Sequence, residues 1–142
     1  MEFINSSSNY FLNKSTYINL RWIGIIGQFL TINIVAFIFK FEFNYILSNV
    51  IVIFGAISNI FLISYNRSTQ LSNKISFYYL LADILQLSLL LYLTGGILNP
   101  FSVFLIIPSV FASSNLNIKT NLILILVTIL SISVLTLYHQ EL

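Results

Sequence analysis

Gly95-Gly96-Ile97-Leu98-Asn99-Pro100-Phe101 joins two strongly apolar segments, and its residue types dictate how the chain turns from one into the other. Glycine is the usual residue just past a helix end, because a left-handed backbone costs it nothing. An asparagine side chain at an N-cap accepts from a free backbone N–H, and proline suits the first helical position, where its φ is already helical and no N–H is needed. Proline also steers Asn99 away from helical dihedrals, as an N-cap requires. The stretch reads as a compact helix-to-helix turn, and this local account covers Gly95, Gly96, Asn99 and Pro100 without any ligand.

The surroundings of the turn are membrane-like. Of the 142 residues 58% are hydrophobic and 7% charged, mean hydropathy is +0.95, and soluble domains average about 25% charged residues. The chain is therefore expected to be an all-α, polytopic membrane helix bundle. Six Lys/Arg against four Asp/Glu form no basic face, so nucleic acid is not a partner and the basic residues matter for orientation instead. With no cysteine there is no disulfide framework, thiolate metal site or thiol switch, and one histidine cannot build a metal site alone. No nucleophile–base pair or phosphate loop can be assembled, so no catalytic residue is assigned.

Residues 1–19 are polar, rich in Ser and Asn, and lack a small-residue cleavage signature; they read as a mobile cytosolic leader. A transmembrane domain over 20–142 follows, with five spans expected at about 20–39, 45–65, 75–93, 100–117 and 120–138. The fourth is short, and a full, thin span is preferred there to a re-entrant one. Pro108 inside it should free a carbonyl near Phe104, kink the helix and place it beside a cavity. No internal repeat or separate soluble domain is visible.

Orientation follows from the basic residues. An inner N-terminus puts Lys14, Arg21, Arg67, Lys74 and Lys119 inside and Lys40 outside, five against one. Tyr17, Trp22, Tyr65 and Tyr78 then mark the inner interface, Tyr45, Tyr92 and Tyr138 the outer one, and the hinge faces outside. Arg21 with Trp22 reads as an interface anchor. Asp83 is the acid placed deep in an apolar run, and with Gln86, Leu90 and Thr94 it forms one helical stripe toward the hinge. A polar relay through Asp83, Gln86 and Thr94 is one reading; a protonated carboxyl tying helices together through Gln28, Asn33 or Asn59 is the other. Gln28, Asn33 and Asn59 themselves read as interhelical glue.

Gly95 to Phe101 reproduces the GGxxNPF heptapeptide of redox-responsive sensor histidine kinases of the RegB/PrrB type, whose membrane domain this chain resembles. Leu20-Arg21-Trp22 with Gly27-Gln28 is similar to that family's LRW…GQ opening of the first span. Asp83-Ile84-Leu85-Gln86-Leu87, leading into Tyr92-Leu93-Thr94-Gly95-Gly96, resembles its third span and outer loop. The resemblance implies a six-helix sensor of the bacterial inner membrane, in contact with lipid and the quinone pool. Its ubiquinone site would be the outer loop, with Gly95, Gly96, Asn99, Pro100 and Phe101 as ligand-binding residues. It further implies a homodimer whose cytosolic kinase phosphorylates a response regulator. These 142 residues depart from the pattern by lacking a sixth span, a phospho-accepting histidine box, nucleotide-binding glycine motifs and the redox cysteine. His139 is no substitute, because the orientation places it outside. The departure is read as a truncated or isolated sensor domain, with a split gene as the alternative. Attaching a cytosolic kinase would then take a further span of about 20 apolar residues after Leu142.

The chemistry of such a site is coherent. A quinone head offers two carbonyl acceptors, becomes a double donor when reduced, and needs an amphiprotic partner in a mostly apolar slot. Asn99 is that partner in this reading, Phe101 stacks on the ring, and the glycines allow close backbone approach. Aspartate at position 99 is expected to keep the cap and lose the donor. Two other functions fit the composition: a small transporter or channel subunit with Asp83 as its ion site, and a purely structural membrane anchor.

Overall fold

The structure is a computed structural model that describes residues 12–65 and 70–139. Most of the expected leader, the inner-side residue Arg67 and Gln140 to Leu142 lie outside the described residues. Five α-helices follow in order: α1 (Lys14–Phe37), α2 (Tyr45–Tyr65), α3 (Asn73–Leu93), α4 (Ile107–Asn115) and α5 (Ile118–Leu137). Leu12–Asn13 and Gln70–Leu71 form a two-residue antiparallel pair, Leu12 opposite Leu71 and Asn13 opposite Gln70. This ties the start of α1 to the approach of α3.

The helix ends follow from short polar side chains that accept otherwise orphaned N–H groups. Asn44 accepts from the Leu47 N–H at 3.0 Å, Ser72 from Ile75 at 3.4 Å, and Asn117 from Thr120 at 2.8 Å. Helix α1 takes in residues 14–19, which the sequence assigns to the leader. The reason is packing: Tyr17 is buried, and Lys14 donates to the Ile63 carbonyl at 3.5 Å. Burial thus carries the helix more than a turn further than hydropathy alone suggests.

Four of the described helices, α1, α2, α3 and α5, are long and apolar enough to cross a membrane. Between α3 and α5 runs a shorter apolar helix, Pro100–Asn115, composed of a 3₁₀ stretch over Pro100–Ile106 and then α4. A 3₁₀ helix rises about 2.0 Å per residue against 1.5 Å for an α-helix, so this helix reaches about 27 Å, close to the roughly 30 Å of a hydrocarbon core. The change of helix type also answers the expected defect at Pro108. The Phe104 carbonyl accepts from the Ile107 N–H in 3₁₀ fashion, so the proline's missing donor does not orphan it.

Helix α3 is central. It packs on α2 along one side and on α4 and α5 along the other, while α1 lies mainly against α2. Leu62, Leu80, Ile84, Leu91, Leu105 and Leu124 fill the main core, and Ile25, Ile32, Ile51, Val52, Leu90 and Leu93 a second one between α1, α2 and α3. Ile23, Ile26, Phe54, Leu126 and many other large apolar side chains point outward, as a lipid-facing surface requires.

Candidate functional site

The hinge is built from bonds between near neighbours. Gly95 and Gly96 both adopt positive φ, 101° and 62°, which glycine tolerates and other residues resist. Asn99 accepts from the Phe101 N–H at 2.9 Å, with Pro100 at the first helical position. Its amide nitrogen donates to both the carbonyl and the hydroxyl oxygen of Thr94, each at 2.9 Å. The Thr94 hydroxyl donates in turn to the Leu90 carbonyl at 2.7 Å. Asn99 therefore caps the helix that follows and clamps the one that precedes. Aspartate there would keep the first function and lose the second, because the Thr94 contacts need an amide donor.

The hinge forms one end of a cleft of about 990 Å³. Its walls are α1 and the helix Pro100–Asn115, and its floor is α3. Gly95, Asn99, Pro100 and Phe101 line this end, as do Thr94 and His139; Gly96 sits behind them. A Cβ on Gly96 would lie 2.5 Å from His139 Cβ, so glycine is needed there for close approach as well as for its φ. The Phe101 ring is 5.6 Å from that of Phe104. Pro108 and Phe111 continue the wall, so the proline-containing helix does border a cavity. On the facing wall, Gly24 and Gly27 have nothing within 4 Å of where a side chain would begin.

At the far end of the cleft lies a charged cluster. The Arg21 guanidinium pairs with Asp83, Nη2 to Oδ1 at 2.8 Å and Nε to Oδ1 at 3.0 Å. Tyr17 donates to the other carboxylate oxygen. Arg21 also donates to Ser58 at 2.7 Å and Asn59 at 3.5 Å, and lies 5.4 Å from the Tyr79 ring centre and 5.6 Å from that of Tyr17. Two sequence readings are corrected here. Arg21 is a buried ion-pair partner instead of an interface anchor, because α1 starts at Lys14 and carries it about two turns inward. Tyr17 likewise belongs to the core, 3% exposed. Asp83 is tied to α1 by Arg21 and Tyr17; Asn59 reaches it through Arg21, while Gln28 and Asn33 are engaged elsewhere.

Midway, Gln86 donates to Gln28 across the α1–α3 boundary at 3.1 Å. The Gln86 amide sits 2.6 Å from where a Gly55 side chain would begin, so α2 can approach only at a glycine. Asn33 and Asn49 exchange amide bonds at 3.1 and 3.2 Å, tying α1 to α2. Asn59 donates to the Ile18 carbonyl at 3.4 Å. The amides expected to hold helices together do so. The three relay candidates all line the cleft but have different partners: Asp83 bonds Arg21 and Tyr17, Gln86 bonds Gln28, and Thr94 bonds Leu90 and Asn99.

His139, Arg21 and Tyr17 line the cleft, whereas sequence reasoning places Arg21 and Tyr17 at the membrane interface and gives His139 no role. The available signal for Arg21 was Asp83 itself, since a carboxylate within a span calls for a cation. For His139 no local signal exists: it reaches Gly96 only through the packing of α5 on the hinge.

The sequence is 32% identical over 112 residues to the sensor histidine kinase RegB of Cereibacter sphaeroides. The match takes in 77% of this chain and 24% of that protein, so the chain spans about a quarter of its relative's length. No family model and no solved structure matches. With its apolar helices, the GGILNPF hinge and this identity, the chain is a membrane protein similar to part of the sensor histidine kinase RegB.

Proposed function

We propose that this chain is the membrane sensor region of a two-component histidine kinase, and that its cleft receives a ubiquinone. The quinone ring lies at the hinge against Gly95, Pro100 and Phe101, and the isoprenoid tail runs between α1 and the helix Pro100–Asn115 in contact with lipid. The observation that carries this reading is the cleft: an apolar slot at the upper end of ligand-pocket sizes, opening beside GGILNPF. Phe101, Phe104 and Phe111 offer ring faces, and Gly24 and Gly27 leave room for a chain. Asn99, whose donors are held by Thr94, shapes this end of the slot.

Arg21, now paired with Asp83, no longer counts toward orientation. Lys14, Arg67, Lys74 and Lys119 against Lys40 still favour an inner N-terminus and an outward hinge in the bacterial inner membrane. The Arg21 cation also neutralises Asp83, which weighs against an ion-transport role for that carboxylate. Signalling to a cytosolic kinase and its response regulator, in a homodimer, requires that oxidised and reduced quinone differ in their preference for two helix arrangements. The junction between the α1–α2 pair and the α3–α5 group, bridged by Arg21–Asp83 and Gln28–Gln86, is where such arrangements would differ.

The test is to purify the chain in mild detergent and quantify extracted quinone. About one quinone per site supports the reading, and Gly27→Leu, which fills open space in the slot, should abolish its retention. Quinone-free protein that also fails to bind added decylubiquinone would overturn it.

A further inference from the structure

The hydrogen-bond donors at the two ends of the cleft are taken. Asn99 Nδ2 gives both protons to Thr94 and the Thr94 hydroxyl gives its own to Leu90, while Tyr17 and Arg21 donate to Asp83. On the α1 wall they are not. Gly24, Gly27, Gln28 and Thr31 line the cleft at the i, i+3, i+4, i+7 spacing of one helical face, and the two glycines leave that face bare beside the two polar side chains. Gln28 accepts from Gln86 through Oε1 at 3.1 Å, which leaves both Nε2 protons unused. Gln86 is itself seated against Gly55 of α2, so the Gln28 amide is held in place from behind. Thr31 differs from the other helical hydroxyls. Ser88, Thr94, Thr128, Ser133 and Thr136 each donate to the carbonyl four residues back, whereas the Thr31 hydroxyl has no hydrogen-bond partner among the described residues.

Building on the quinone reading above, we propose that α1 supplies the polar grip on the bound ring, with Thr31 and Gln28 donating to the ring oxygen that faces away from the hinge. The levels agree. The contacts Arg21–Asp83 and then Gln28–Gln86 run in the same order on both helices, so α1 and α3 point the same way. Gln86 lies about 12 Å below Thr94 and Thr31 about 4.5 Å above Gln28, which puts Thr31 about 7.5 Å from the level of the hinge, the span of one substituted ring. Phe101 and Phe104 then cover the ring from the opposite wall. A hydroxyl and a primary amide each donate and accept, so the grip serves oxidised and reduced rings alike: it fixes where the ring sits and which way it points.

The experiment measures binding of decylubiquinone to the chain in detergent by calorimetry, together with infrared difference spectra of ubiquinone isotope-labelled at its ring carbonyls. In the parent chain one carbonyl stretch should be lowered by the α1 donors. Thr31→Val, which keeps the shape and removes the hydroxyl, should weaken binding about tenfold, the loss of one partner at a buried oxygen, and return that stretch partway; adding Gln28→Met should return it fully. Thr31→Ser, which keeps the hydroxyl, should retain the parent affinity. Because the hydroxyl has no partner in the protein, Thr31→Val should leave the melting temperature of the ligand-free chain unchanged. Parent affinity, an unmoved carbonyl stretch or a lowered ligand-free melting temperature in Thr31→Val overturns the inference and leaves the quinone site standing. A parent chain that binds no decylubiquinone overturns the quinone site as well.

Discussion

The two polar ends of the cleft are built on opposite principles. The hinge uses neutral hydrogen bonds between residues two to five apart in sequence. The far end uses an ion pair and hydrogen bonds between residues 37 to 66 apart, on three different helices. A neutral, short-range network rearranges at low cost and stays folded by itself. A buried ion pair either holds or leaves a charge stranded in an apolar place. The difference suits the far end to holding α1 against α3 and, on the proposed function, the hinge to responding.

The largest effect expected from this contrast is at the ion pair. Asp83→Ala strands the Arg21 guanidinium and should destabilise the folded protein by about 3 kcal/mol or more. Arg21→Leu with Asp83→Leu should recover most of that loss, because no charge remains uncompensated. Thermal unfolding in detergent measures both, and equal losses in the single and double variants would show that the pair is not what joins the helices.

At the hinge, Gly96→Ala should cost about 2 kcal/mol: a left-handed backbone disfavours any side chain, and the new Cβ meets His139. The collision part should vanish in a His139→Gly background, which removes the Cβ as well as the ring, while the backbone part persists. Additive losses in that cycle would mean that the His139 ring does not sit on Gly96.

Asn99→Asp should cost about 1–2 kcal/mol, since it retains the cap to Phe101 and removes two donations to Thr94. A variant as stable as the parent would reduce Asn99 to a cap.

Smallest of all, Gly24→Ala and Gly27→Ala should each raise stability by up to about 1 kcal/mol, because a helical glycine with open space beside it gains from alanine. A loss at either would mean that α1 lies closer to its neighbours than the cleft allows.

The same contrast explains what was legible in the sequence. Positive φ at Gly95 and Gly96, the Asn99 cap and Pro100 at the first helical position are consequences of local sterics, and local rules recover them. The α2 bounds, 45 and 65, follow from hydropathy alone. The start of α1 did not, because Lys14 and Tyr17 are polar by type and buried by contacts that lie 49 and 66 residues away. Asp83 announced itself as an intramembrane acid but could not name its cation, since spacing within one helix carries no information about the facing one. His139 was hidden for the same reason, and hydropathy could not foresee that a 3₁₀ stretch would lengthen the fourth helix and absorb the defect at Pro108.

The central claim is that a quinone head group lies at the hinge and not at the ion pair, some eleven residues and roughly 16 Å deeper along α3. Photo-crosslinking with an azidoquinone, followed by mass spectrometric mapping of the modified peptides, tests this most directly. The account predicts adducts between Thr94 and Phe104 and at His139, lost when excess decylubiquinol competes. Adducts concentrated on Tyr17, Arg21 and Tyr79, with none at the hinge, would contradict it.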